Sequence, residues 1–159
     1  MSSIIVSDSS PLNVLIQVGQ VDVLSALFEK VLVPPKVLIE LRHPQAPQAV
    51  QLFAQTTPAW LVEQAPQIEL PLIRLDPGER SAISLALELN TLLLIDERDG
   101  RKEAMARGIR VIGAIGILER AADEGLIKDL GTVYQMIRGS NFRVSDKLLD
   151  DSLKRHQSK

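Results

Sequence analysis

Short apolar runs alternate with helical patterns along most of this chain, and that alternation limits its fold more than any other feature. "SIIVS" (3–7), "VLVP" (31–34), "TLLLID" (91–96) and "IRVIG" (109–113) read as buried strands, with "WLVEQAP" (60–66) a further candidate. Between them lie amphipathic stretches: "LNVLIQVG" closed by Gly19, "VDVLSALFEK", "PKVLIELR" with proline in its first turn, and a short "QAVQLFAQ" among prolines. "DPGERSAISLALELN" is the clearest helix, with Asp76 as cap, Pro77 at the first position and Glu79 where a capping-box acid belongs. "GRKEAMARG", "AIGILERAADEG", "LGTVYQMIRGS" and "SDKLLDDSLKRH", the last capped by Ser145, complete the helical set. Strands this short and uniformly apolar predict an α/β fold, a parallel sheet covered by helices on both faces. Ligands of such sheets bind outside the carboxyl ends of the strands.

The remaining composition narrows the chemistry. The 159 residues predict one domain, 1–159, with no repeat, low-complexity tract or linker. Cysteine is absent, which excludes disulfides, thiolate metal sites and cysteine nucleophiles. The two histidines, His43 and His156, supply a histidine site poorly. A formal charge of −2 gives no overall basic field. No apolar run approaches the ~20 residues that span a bilayer. "MSSIIVSDSS" has no basic region ahead of its apolar residues and is not a signal peptide, so a cytoplasmic protein is expected.

Acids mark the strand ends. Asp8 follows "IIVS" and Asp96 follows "LLLI" directly, with Glu97, Arg98 and Asp99 close behind. Asp8 also fits a helix cap or Asx-turn, and Asp96 a solvated turn. Glu79 has a complete structural task in its capping box, yet stands at the positive end of a helix dipole near the same edge. Glu40, among Val37, Leu38 and Leu41, fits the wet face of a helix better than a site when taken alone. As a set these acids carry more meaning, because each close pair of ionised carboxylates costs roughly 4 kcal/mol at about 4 Å and an effective dielectric of about 20. Such a cluster persists only when protons or a cation neutralise it, and oxygen-only ligands select Mg²⁺ or Mn²⁺. A carboxylate-held cation of this kind activates water against phosphodiesters. Arg98, Arg101, Lys102, Arg107 and Arg110 form a basic stretch beside the acids, suited to phosphates or merely to solvent and to Glu97 and Glu103. Aromatics are only 3%, so base stacking is not a main source of affinity.

Four segments in order, "IVSDSSPL", "VPPKVLIEL", "LDPGERSAISLALEL" and "LLLIDERDGRKEAMARGIRVIGAIGIL", resemble the PIN-domain family, and more narrowly its VapC-like branch. The resemblance spans nearly the whole chain. It implies a three-layer α/β/α domain with a central parallel sheet and a metal-dependent endoribonuclease. Such proteins are often the homodimeric toxin of a type II toxin–antitoxin pair with a cognate antitoxin. Carried over by position, it implies a catalytic set of Asp8, Glu40, Glu79 and Asp96. Asp8, Glu79 and Asp96 would hold Mg²⁺ or Mn²⁺ with Asp99 in support, while Glu40 orients a water or takes its proton. Ser9, Arg98, Arg101 and Lys102 are the expected RNA contacts. Two departures stand out: the third acid is more often Asp in the family, and Ile95 replaces a hydroxyl residue common at the end of the fourth strand.

Those departures define a rival, a PIN-like module that binds nucleic acid or regulates without cleaving. Other carboxylate-bearing α/β proteins fit less well. "DSS" lacks the second acid of a haloacid-dehalogenase-type phosphatase or a receiver domain, and no Gly-x-Gly-x-x-Gly opens the first helix for a dinucleotide.

Overall fold

The computed structural model describes residues 4–158, so the first residue of the expected strand "SIIVS" and the leading "MSS" lie outside the described residues. Five parallel strands form one sheet: β1 (Ile4–Ser7), β2 (Lys30–Val33), β3 (Leu61–Glu63), β4 (Leu92–Leu94) and β5 (Val111–Ile112). Their spatial order is β3-β2-β1-β4-β5, with β1 paired to both β2 and β4. The chain first builds outward from β1 on one side, then crosses to the other. The reversal point therefore lies between β1 and β4, where the connections leave in opposite directions and open a crevice.

Nine helices complete the described residues: α1 (Ser9–Gln17), α2 (Val23–Leu27), α3 (Pro35–Leu41), α4 (Gln48–Gln55), α5 (Pro77–Leu89), α6 (Arg98–Ala106), α7 (Ala114–Asp123), α8 (Leu130–Arg138) and α9 (Asp146–Gln157). Period-two alternation divides the strands between two cores. Ile5, Val31, Val33 and Leu94 pack with Leu12, Leu15, Ile117 and Tyr134 on one face. Val6, Leu32, Leu93 and Ile95 pack with Ile83, Leu85 and Ala104 on the other. Helices thus cover both faces, which is the three-layer α/β/α arrangement. None of these helices is long and apolar enough to cross a membrane.

Two elements differ from the sequence reading. α1 starts at Ser9, three residues before its apolar pattern, because Pro11 is tolerated in a first turn whose amides lack helical acceptors anyway. α2 is a single turn instead of the length of "VDVLSALFEK"; Phe28 adopts an extended backbone as the chain turns into β2 with its side chain buried.

A candidate carboxylate metal site

Asp8 is the residue after β1 and occupies the N-cap position of α1, but its side chain makes no capping hydrogen bond. Its amide instead donates to the Leu94 carbonyl of β4 at 2.9 Å, which ties it to the reversal point. The side chain is 2% exposed and its Oδ1 has no hydrogen-bond partner. Glu40 lies near the end of α3, and Asp76 is the N-cap of α5. Oxygens of Asp8, Glu40 and Asp76 lie within 4.8 Å of one another, close enough for one small ion.

Glu79 and Asp96 flank this trio. In α5 the capping box is complete: Asp76 Oδ1 accepts from the Glu79 amide at 2.8 Å, and Glu79 Oε1 from the Asp76 amide at 3.4 Å. That leaves Glu79 Oε2 buried without a partner. Asp96 Oδ1 accepts from the Ala114 amide at 3.0 Å, at the start of α7, and its Oδ2 is also orphaned. Among the described residues, every buried side-chain oxygen without a hydrogen-bond partner belongs to Asp8, Glu40, Glu79 or Asp96. Helix amino ends at α1, α5 and α7 supply partial positive charge at this edge, and the Arg101 guanidinium acts on Asp96.

Proton affinities follow from that. Burial, then the charges of Asp76, Glu40 and Asp96, push the Asp8 carboxyl up to about 7 against the pull of the Ser9 amide. Burial and Asp76 push Glu40 up to about 7, with the Ser9 hydroxyl opposing. Asp96 rises to about 6 through burial, restrained by the Ala114 amide and Arg101. Glu79 moves upward most, through burial and its contacts with Asp76 and Glu97.

Three glycines make room for these acids. A Cβ on Gly78 would lie 1.6 Å from Glu40 Oε1, one on Gly100 2.7 Å from Glu79 Oε2, and one on Gly113 2.5 Å from Asp96 Oδ1. None needs a positive φ, so their reason is close approach. Sequence reasoning passed over all three, and it read Asp76 only as a cap. The available signal was a glycine inside "DPGE", where helix propensity alone would choose otherwise.

The other expected site residues separate. Glu97 Oε2 caps the Gly100 amide of α6 at 2.7 Å, and Asp99 lines an outer hollow with Lys102 and Arg74, away from the trio. Arg101 reaches the edge: its Nη1 donates to the Ile95 carbonyl at 2.9 Å. Arg107 pairs with Glu103 at 3.2 Å, while Arg98 and Arg110 stand on the exposed surface. Two hollows open at the acids. One, about 490 Å³, adjoins Glu40 and Asp76; the other, about 780 Å³, adjoins Asp96 and Arg101 and also carries Arg143 and Arg155. Ser10 and Phe142 line both.

An all-parallel α/β/α sandwich with carboxylates at its reversal point defines a class of fold, and comparison with known proteins specifies it. A family model described as a PIN domain matches residues 4–158, so the chain belongs to the PIN-domain family. Among solved structures it is similar to a PilT N-terminus domain protein from the hyperthermophilic archaeon Sulfolobus solfataricus. That likeness has a TM-score of 0.54 and 17% identity, covering 79% of this chain and 95% of the other, and it supports the fold. No curated protein gives a significant match. PIN domains are generally nucleases, and the acidic trio is consistent with one.

Proposed function

We propose that this chain is a metal-dependent endoribonuclease and, within its family, a VapC-like toxin of a type II toxin–antitoxin pair. One observation supports the nuclease reading above the rest: the four acids with orphaned buried oxygens stand together at one edge of the sheet. Buried polar atoms of a folded protein are normally hydrogen-bonded, so four bare carboxylate oxygens at one edge call for a ligand. An oxygen-only donor set with raised proton affinities fits a hard divalent ion, Mg²⁺ or Mn²⁺.

Asp8, Glu40 and Asp76 would hold the ion, with Asp96 and the free Oε2 of Glu79 completing the set. When bound, such an ion supplies charge neutralisation, polarisation of the phosphodiester and activation of water. Glu40 orients the attacking water and receives its proton through the free Oε1, and the Ser9 hydroxyl steadies that carboxylate. Arg101, fixed by the Ile95 carbonyl, holds the phosphate against the edge. The homodimer, the cognate antitoxin and the cytoplasmic setting rest on the family likeness alone.

The test is thermal melting during Mg²⁺ and Mn²⁺ titration of wild type, Asp8→Asn and Asp96→Asn, followed by cleavage of a mixed RNA pool. Wild type should gain several degrees at saturating metal, both variants should lose that gain, and cleavage should fall at least about a hundredfold. A wild type whose melting ignores both ions would sink the metal site and leave a non-cleaving binding module in its place.

A further inference from the structure

The hollow that opens on Glu40 and Asp76 continues over α1, and of the four amide side chains that line it, Asn13, Gln17, Gln45 and Asn141, all but Gln45 are joined in one row. Asn13 and Gln17 are one helical turn apart, whereas Asn141 comes from the α8–α9 connection on the far side of the sequence. Gln17 Nε2 donates to Oδ1 of Asn13 and also to Oδ1 of Asn141, the latter at 3.2 Å. A single NH₂ group therefore holds both asparagine carbonyls and links two segments that meet only in the folded protein. Asn13 and Gln17 are half-buried, so the arrangement is more ordered than a wet helix face.

The consequence is a defined pattern of remaining groups. With one lone pair of each carbonyl taken by Gln17, Asn13 and Asn141 each keep a free amide donor, and Gln17 between them keeps its carbonyl acceptor. The row reads donor, acceptor, donor. Uracil presents the complementary acceptor, donor, acceptor along its Watson–Crick edge, from O4, N3–H and O2. Cytosine presents donor, acceptor, acceptor and guanine acceptor, donor, donor, so each mismatches the row; adenine offers only one donor and one acceptor there. Such edges are free only in unpaired RNA. Hydrogen bonding of this kind discriminates between bases where a chain with few aromatics cannot rely on stacking.

We infer that the Asn13–Gln17–Asn141 row is the specificity-determining surface of the site and selects a uracil beside the phosphodiester at the acids. This rests on the ribonuclease reading above. Phe142, at the rim shared by the two hollows, marks where the strand passes from the amide-lined side to the side carrying Arg101 and Arg143.

The test measures binding of labelled oligo-U, oligo-C and oligo-A, each about eight nucleotides long. Ca²⁺ replaces the catalytic ion, since it also takes oxygen ligands. Wild type should bind oligo-U roughly tenfold more tightly than the other two. Gln17→Ala and, on the exposed connection, Asn141→Ala should each reduce that preference to about twofold or less. Both variants should melt within a degree or two of wild type. A preference for another base, no preference at all, or a preference that survives both substitutions would overturn the inference while leaving the nuclease reading intact. Failure of wild type to bind any of the three would overturn both.

Discussion

The last helix carries Asp146, Asp150 and Asp151, a run of acid comparable to Asp96, Glu97 and Asp99 at the carboxyl edge of the sheet, yet each of the three has a cation beside it. Arg138 bridges Asp146 at 2.9 Å and Asp150 at 3.1 Å, Lys147 holds Asp151 at 2.8 Å, and neighbouring Asp123 meets His156 at 2.8 Å. There Asp151 moves toward the ionised form, because a hydrogen bond from Lys147 holds it below its ordinary range. At the sheet edge burial dominates and the movement is opposite, with Asp8 and Glu40 both near 7. Acidity in the sequence is thus a poor guide to a site. What distinguishes the two regions is whether folding supplies each carboxylate with water or a cation, or leaves it buried among others of its kind.

The largest effect expected from this contrast is on the pH dependence of stability without divalent ions. The folded protein keeps protons on Asp8 and Glu40 up to about pH 7 and on Asp96 up to about 6, whereas the unfolded chain loses them near the ordinary carboxylate values of 3.8 to 4.5. Between those limits the folded state binds more protons, so its stability falls as pH rises from about 4 to about 7. The loss should reach a few kcal/mol, roughly ten degrees of melting temperature in EDTA between pH 5 and 8. Saturating Mn²⁺ should flatten that slope by stabilising the ionised cluster at the upper end. A metal-free melting temperature that rises over the same interval would mean the edge carboxylates are already paired, like those of α9.

A sharper cut is Gly78→Ala. The added methyl would displace Glu40, while the helix itself gains up to about 1 kcal/mol from losing a glycine. Metal affinity should drop roughly tenfold, about 1.4 kcal/mol, with metal-free melting unchanged or slightly raised. Gly131→Ala, whose new atom would meet only Asp129 Oδ1 at 3.3 Å, is the matched substitution and should leave metal titration untouched. Equal metal affinity in both variants would remove Glu40 from the ion-holding set.

The smallest effect belongs to Lys147→Ala. It breaks an exposed pair one turn apart, so the melting temperature should move by no more than about a degree or two, and neither metal response nor the EDTA slope should change. Any coupling to the metal response would erase the distinction between the two acidic regions.

The sheet was legible from local pattern, because a parallel strand buried on both faces has to be an apolar run and its ends show as abrupt polarity. Asp8 and Asp96 stand out at those ends for that reason. Glu79 stands out through the capping box. Within "DERD", however, every residue is polar, and only the start of α6 sends Glu97 to its own helix amide and Asp99 to an outer hollow. Asp76 hid behind its capping role, since one carboxylate oxygen takes the amide of Glu79 while the residue also belongs to the trio.

By itself the sequence determined the alternation of strand and helix, the oxygen-only chemistry left by a chain without cysteine, and the acids standing where strands end. The tertiary structure alone decided which acids meet, because β1 and β4 become neighbours only when the chain reverses between them. It also decided that Gly78, Gly100 and Gly113 must lack side chains, and that Asn141 joins Asn13 and Gln17. Each of these is a contact between segments far apart in the chain, and local propensity carries no record of such distances.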